Sequence, residues 1–251
     1  MQTVYVVVAG LGIALFALIA EALVLARARA RLPIRILVTG TRGKSSVVRL
    51  IQGALTDGGI SALGKTTGSA ARLLPPTGEE RPIRRRGGAS ILEQRRVLLE
   101  AARGSSRALV VEAMSIDAEV AEAESLRILR PTHVVVTNAR VDHVDTTGST
   151  VASVAETLAC SIPKGMPVYA LESELVDGAA TALRAAGGRL IPIPVPDGEA
   201  LADGVSSPTF TDHLALATRV CADVGVSPEH VARAAEVAAR DLGALRLLHA
   251  A

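Results

Sequence analysis

A chain of 251 residues, 49% hydrophobic and 21% charged, has room for one sizeable α/β domain and a short appendage, and none for two full catalytic domains. A formal net charge of +2 with 2% aromatic residues lacks the interleaved basic and stacking side chains that single-stranded nucleic acid requires, so no nucleic-acid partner is expected. Cys160 and Cys221 stand far apart, with no second cysteine or histidine at zinc spacing; they point to two buried thiols in a reducing compartment, not to a disulfide framework or structural zinc.

The N-terminus is the first element. From Thr3 to Ala20 no residue is charged, and the apolar run resumes after Glu21 through Ala26, a length that spans a hydrocarbon core. No basic residue precedes it, whereas Arg27, Arg29 and Arg31 follow at once, so the positive-inside bias predicts a single-pass helix in the cell membrane with the rest of the chain in the cytoplasm. A cleaved signal peptide would have a basic start and a shorter apolar core. Glu21 lies at the expected inner boundary, where a carboxylate can reach headgroups or pair with an arginine of another helix; it is expected as a solvated charge. Residues 1–31 thus read as an anchor, and 32–251 as the domain.

After Pro33, Ile34 to Val38 reads as a strand ending in Thr39-Gly40, and Lys44 to about Asp57 as a helix with apolar spacing at Val47, Leu50, Ile51, Ala54 and Leu55. Gly58-Gly59 stops that helix, and Ile60 to Leu63 suggests a second strand. Leu74 to Gly88, with its prolines, glycines and the basic cluster Arg81, Arg84, Arg85 and Arg86, reads as a loop or small hairpin, followed by a helix from about Ser90 to Arg103. Arg107 to Val111, ending in Glu112, and His133 to Thr137, ending in Asn138, are apolar runs of the kind found in strands covered on both faces. Strand Pro167–Leu171, helix 173–186, strand Arg189–Pro194 and helices 211–224 and 228–240 complete the pattern. Alternating strands and helices predict an α/β fold with a doubly wound, mainly parallel sheet.

The strongest chemical signal is Gly40-Thr41-Arg42-Gly43-Lys44-Ser45-Ser46 between a strand and a helix. Successive backbone N–H groups at a helix start form an anion site; Lys44 is suited to neutralise β/γ-phosphate charge and the Ser45 hydroxyl to ligate Mg²⁺. A general Walker A loop would have a glycine where this chain has Val38, so the match is to a shorter G-T-x-G-K-S variant. A chance glycine-rich turn is the alternative, and the flanking strand and helix argue against it. Glu112 ends a strand beside the loop, where parallel strands face the ligand crevice, and is a candidate second Mg²⁺ ligand; the alternative is a helix cap. Asn138, Arg140, Asp142, His143 and Asp145 cluster at a third strand end, which favours function over a structural histidine.

Together, G-T-R-G-K-S at 40–45, T-T-G at 66–68, Glu93-Gln94, V-V-E at 110–112 and T-N-A-R-V-D-H-V-D at 137–145 resemble the Mur-ligase superfamily of ATP-dependent amide ligases, and within it the capsule-forming poly-γ-glutamate synthases, which also begin with a membrane helix. The resemblance runs from residue 1 to about Leu245. It implies that ATP phosphorylates a carboxylate and that the amine of an incoming glutamate attacks the acyl phosphate. Such a site gathers anions and needs cations: Lys44, Mg²⁺ on Ser45 and Glu112, and a second Mg²⁺ for which His143 resembles the family ligand. By the same resemblance Asn138 and Asp142 position that site, and Lys65, Thr66, Thr67 and Arg72 lie over the nucleotide phosphates or the growing polymer. The implied partners are glutamate, poly-γ-glutamate and small membrane subunits of a synthase complex; the basic cluster at 81–86 suits a polyanionic product or is simply a solvated loop.

Two departures stand out. Many Mur-type ligases carry a carbamylated lysine on the helix after the D-H motif, whereas 151–161 contains none and Lys164 follows Pro163; Glu156 is the substitute candidate. The family's separate C-terminal domain also has no counterpart after residues 241–245, so either the sequence is a fragment or a partner supplies that part. The alternative functions are a membrane-linked P-loop kinase or ATPase of capsule export, or a non-catalytic nucleotide-binding scaffold.

Overall fold

The computed structural model describes residues 1–68, 70–85, 87–142, 144–176, 178–195 and 211–238. Expectations for Arg86, His143, the end of the last helix at 239–240 and the segment 241–245 lie outside the described residues.

The chain opens with one long helix, α1 (Gln2–Arg31), which is almost entirely exposed over residues 3–24 and then is not: Leu25, Ala28 and Leu32 are buried. Then come β1 (Ile34–Thr39), α2 (Lys44–Asp57), β2 (Ala62–Thr66), β3 (Arg72–Leu74), β4 (Arg81–Pro82), α3 (Leu92–Arg103) and β5 (Ala108–Glu112). The second half comprises α4 (Ala118–Glu122), continued to Leu129 by wider turns, β6 (His133–Val136), α5 (Val144–Thr147), α6 (Val151–Ala159), β7 (Pro167–Leu171), α7 (Ala179–Ala185), β8 (Arg189–Ile193), α8 (Thr211–Asp223) and α9 (Pro228–Ala238).

The strands form one sheet in the order β4-β3-β2-β5-β1-β6-β7-β8. From β2 to β8 every pairing is parallel, and β3 and β4 add an antiparallel edge. All five residues of β5 are buried, as an apolar strand covered on both faces must be. Alternation in β1 divides the core: Ile36 and Val38 join Val47, Leu50 and Ile51 of α2 and Leu214 and Leu216 of α8, while Leu37 faces α1 and α3. Because β1 lies between β5 and β6, its C-terminal end opens at the switch point of a doubly wound sheet, where ligands of such folds bind.

The expected fold class is the observed one, with local corrections. The second strand is Ala62–Thr66 instead of 60–63, because the Ile60 amide closes the end of α2 by donating to the Leu55 carbonyl (2.8 Å). The helix expected over 173–186 is a single turn at Glu172–Glu174 followed by α7, separated by Gly178 at φ 86°. Helix α4 was not anticipated; Asp117 starts it by accepting from the Val120 amide (3.0 Å). Of the two thiols only Cys221 is buried, and Cys160 is partly exposed at the end of α6. Glu21 stays exposed to solvent, as expected, and its carboxylate also lies 2.8 Å from the Arg95 guanidinium of α3.

Candidate functional site

The loop after β1 turns through two glycines that tolerate no side chain. Gly40 has φ 125°, and a Cβ there would collide with the Thr137 hydroxyl; Gly43, at φ 83°, begins α2, and its Cβ would run into the His213 ring of α8. Both conformations lie in the left-handed region that favours glycine. The first amides of α2, at Lys44 and Ser45, have no acceptor within the helix, and an anion site uses amides of this kind. Lys44 Nζ folds over the loop and donates to the carbonyls of Gly40 (2.7 Å) and Thr41 (3.2 Å). Burial pushes the Lys44 ammonium below the ordinary lysine value, opposed by the carboxylates of Glu112 and Asp142.

Ser45 and Glu112 meet as the sequence suggests. The Ser45 hydroxyl donates to Glu112 Oε2 at 2.6 Å, and the Thr67 amide donates to the same oxygen at 2.8 Å. Gly68 keeps this point clear, since a Cβ there would sit 3.3 Å from Ser45 Oγ. A hydroxyl and a 4%-exposed carboxylate, side by side beneath a phosphate loop, are the hard oxygen donors that Mg²⁺ takes. These residues therefore fit the expected divalent ion. His143 lies outside the described residues, and among the described residues no group of three or more His, Cys, Asp or Glu side chains converges on a metal position. Glu156 is exposed on α6, a helix whose buried face is Val154 and Ala155.

Asn138 is hydrogen-bonded to the phosphate loop itself. Its Oδ1 accepts from the Arg42 amide (3.0 Å), its Nδ2 donates to the Arg42 carbonyl (3.0 Å), and its own carbonyl accepts from the Thr41 amide (3.1 Å). The Thr137 hydroxyl also donates to the Arg42 carbonyl (2.7 Å), and the Thr41 hydroxyl to the Arg140 carbonyl (2.8 Å). The end of β6 therefore clamps the phosphate loop. With both ends of its amide on the loop, Asn138 is a positioning residue. Arg42 projects outward, its guanidinium 3.9 Å from the Asp142 carboxylate, and Ser46 is exposed on the first turn of α2.

The T-T-G segment divides. Thr67 borders the Ser45–Glu112 pair, but Lys65 is fully buried and turns to the opposite face of β2, with Nζ 2.9 Å from Glu93 Oε1 of α3. Lys65 is thus no phosphate ligand; strand alternation carries its side chain away from α2. Thr66 is also buried, with no hydrogen-bond partner for its hydroxyl among the described residues. Arg72 sits opposite Thr66 across the β2–β3 pair, half-buried.

Beneath the strand ends runs a buried network that the sequence did not reveal. Gln94 Nε2 donates to the Glu112 carbonyl (2.9 Å) and to Glu124 Oε1 (2.6 Å), while Glu124 also accepts from the amides of Met114 and Ser115. Desolvation pushes the Glu124 carboxyl above the usual carboxylate range, against these hydrogen bonds. Glu93-Gln94 was visible as a motif, but nothing marked Glu124 as its partner. His213 was likewise missed, for no motif surrounds it. Its imidazole lies against Gly43, and burial lowers its pKa.

Comparison with known proteins places the chain in a family. The Mur ligase middle domain matches residues 38–165. The chain is 33% identical over 222 residues to the capsule biosynthesis protein CapB of Bacillus anthracis, covering 86% of this chain and 47% of that protein. It is 30% identical over 223 residues to the PGA synthase CapB of Bacillus subtilis strain 168, covering 86% and 56%. The chain spans about half the length of these curated relatives. Among solved structures, a point mutant of L. casei FPGS superposes with a TM-score of 0.64 at 14% identity, over 88% of this chain and 66% of that one. E. coli FolC in complex with DHPP and ADP superposes with a TM-score of 0.57 at 18% identity, over 87% and 60%; at such identities the likeness is one of fold. With its phosphate loop, its Glu112 strand end and most of its domain inside the matched region, this chain belongs to the Mur ligase family through the middle domain.

Proposed function

We propose that residues 32–251 are the ATP-binding part of an amide ligase of poly-γ-glutamate synthesis, carried on the cytoplasmic side of the cell membrane by the anchor 1–31. The observation that carries the reading is the Ser45–Glu112 contact at 2.6 Å under the loop closed by Lys44. The reaction starts with transfer of the γ-phosphate of ATP to a carboxylate, which gives an acyl phosphate and ADP. The glutamate amine then attacks the acyl carbon, the amide forms and inorganic phosphate leaves. Mg²⁺ bound by Ser45 and Glu112 supplies Lewis-acid charge for the phosphoryl oxygens.

The chain's own residues do the rest. Amides at the start of α2 orient the phosphates, and Lys44 leaves its two carbonyl partners to meet them. Thr67 fixes the Glu112 carboxylate through its amide, so the anion is held before the nucleotide arrives and little reorganisation remains. We assign His143 to the second ion and Asp142, near Arg42, to the acceptor side of the loop. The names of the CapB relatives, one a capsule biosynthesis protein and one a PGA synthase, support glutamate as the monomer. The small membrane subunits of such a synthase are the proposed protein partners.

The test is ADP release by the full chain in detergent or nanodiscs, with and without glutamate and the proposed subunits, alongside detection of the amide product. Glutamate-dependent ADP with a polymer is the expected result. Release indifferent to any amino acid or acyl acceptor sinks the ligase reading, and unchanged turnover in His143→Ala favours a P-loop kinase or ATPase.

A further inference from the structure

The way α1 joins the domain determines which side of the sheet meets the membrane. Only Leu32 and Pro33 link α1 to β1, so the helix folds back along the strand it precedes. The Arg35 side chain ties this corner by donating to the carbonyls of Arg29 (3.1 Å) and Leu32. Leu25 and Ala28 then pack with Leu37, Leu109 and Leu98. Six residues of β1 rise about 20 Å, which a helix covers in about 13 residues. Counted back from Leu32, the end of β1 is therefore level with Ile19 or Ala20, where the uncharged run stops.

Side-chain contacts give the same level independently. Glu21 pairs with Arg95 in the first turn of α3. Two residues earlier on that helix, Glu93 pairs with Lys65, which is opposite Val111, the neighbour of Glu112. The unburied part of α1, with Phe16 74% exposed, thus leaves the domain from the edge that carries the phosphate loop. If α1 spans the bilayer, the catalytic edge faces the headgroups.

At this edge the start of α3 and the β4–α3 connection enclose a cavity of about 510 Å³ lined by Arg81, Arg84, Arg85, Arg96 and Leu92. Arg81 is paired with Glu100 (2.8 Å) and Arg85 with Glu93 (2.8 Å). Arg84 and Arg96 are exposed and have no ion-pair partner among the described residues. Beside them Leu92 is 58% exposed. Unpaired guanidinium groups next to an exposed leucine, at headgroup depth, suit the phosphate and upper acyl region of an anionic lipid.

We infer that this cavity docks anionic phospholipid of the leaflet in which α1 is anchored, so that the domain works with its phosphate-loop edge held against the membrane. A carboxylate polymer would find the arginines but has no use for Leu92, and the cavity's depth relative to α1 has no bearing on it. The inference rests on α1 being a membrane span.

The full chain, reconstituted into nanodiscs of phosphatidylcholine alone or with phosphatidylglycerol, tests it by hydrogen exchange over 81–96. Slower exchange is expected only with the anionic lipid, diminished by salt. In Arg84→Ala/Arg96→Ala the docking equilibrium should weaken about five-fold per arginine. Equal exchange in neutral and anionic discs overturns the docking, as does protection produced by polyglutamate and not by lipid. Failure of the chain to co-float with vesicles after alkaline carbonate extraction overturns the anchor itself, and so separates the two. Circular dichroism of the double variant establishes that it is folded.

Discussion

Replacing Asn138 by alanine tests whether β6 acts on the nucleotide or on the loop that holds it. The Asn138 amide makes two hydrogen bonds with the backbone of Arg42, both 3.0 Å. After truncation the Arg42 carbonyl keeps the Thr137 hydroxyl at 2.7 Å, whereas the Arg42 amide loses its acceptor. One bond without replacement and one with a surviving partner amount to about 1–3 kcal/mol. If that energy holds the loop in its phosphate-ready shape, affinity for an ATP analogue falls about 5- to 150-fold. Titration calorimetry on the full chain measures the affinity, and hydrogen exchange at Arg42 in the absence of nucleotide measures the loop. Both should change together. Lost affinity with unchanged Arg42 exchange would refute the clamp and make Asn138 a direct nucleotide contact. Affinity within about two-fold of the parent, in a folded variant, would refute any role.

Three further outcomes follow from the same geometry. Glu112→Gln keeps an acceptor for Ser45 and Thr67 but removes the charge; glutamate-dependent ADP release should drop about 10²-fold or more while the unfolding midpoint moves little, and retained turnover would disprove the metal role. The Lys65–Glu93 pair should be asymmetric: Glu93→Ala leaves a fully buried ammonium uncompensated at a cost of about 3–5 kcal/mol, whereas Lys65→Met leaves Glu93 with Arg85 at 2.8 Å and should cost less in chemical denaturation; equal losses would contradict this. Glu124 has a folded pKa raised by desolvation, so the folded state binds its proton more tightly than the unfolded chain. Its contribution is present below the unfolded value and is lost as pH rises through the folded one. The stability of the parent relative to Glu124→Gln should therefore decline with rising pH above the ordinary glutamate range, and a flat or rising difference would be inconsistent with that burial.

What could be read from the sequence was what neighbouring residues decide among themselves. The spacing of Val47, Leu50, Ile51, Ala54 and Leu55 gives α2 its buried face, and the apolar run before Glu112 requires a strand covered on both sides, so its last residue had to emerge at an edge. Two glycines around Thr41 and Arg42 before a helix already specify a phosphate loop, because the positive φ values are local. The same strand end, beside the loop, suggested Glu112 as the second Mg²⁺ ligand next to Ser45. Partners distant in the chain left no such trace. Lys65 sits in a T-T-G neighbourhood that suggests phosphate, yet strand alternation points it to α3; its carboxylate, Glu93, lies beyond a hairpin whose path the sequence does not define. The same distance hides Glu124 from Gln94, and Asn138 from the backbone of Arg42.

Glu21 shows why such gaps matter for function as well as for packing. A carboxylate after an apolar run looks the same in sequence whether water or a guanidinium receives it, and only the second case ties the apolar helix to the domain. The ion pair with Arg95, partly exposed at both ends, contributes little by itself. The apolar contacts below it do more, since burying Leu25 and Leu32 is worth about 1.5–3 kcal/mol each. Glu21→Ala should then leave stability nearly unchanged, whereas Leu25→Ala should loosen the end of α1 and raise hydrogen exchange in both α1 and α3. If Leu25→Ala leaves α3 exchange unaltered, α1 is a tether and not part of the domain, and the orientation of the phosphate loop toward the bilayer no longer follows.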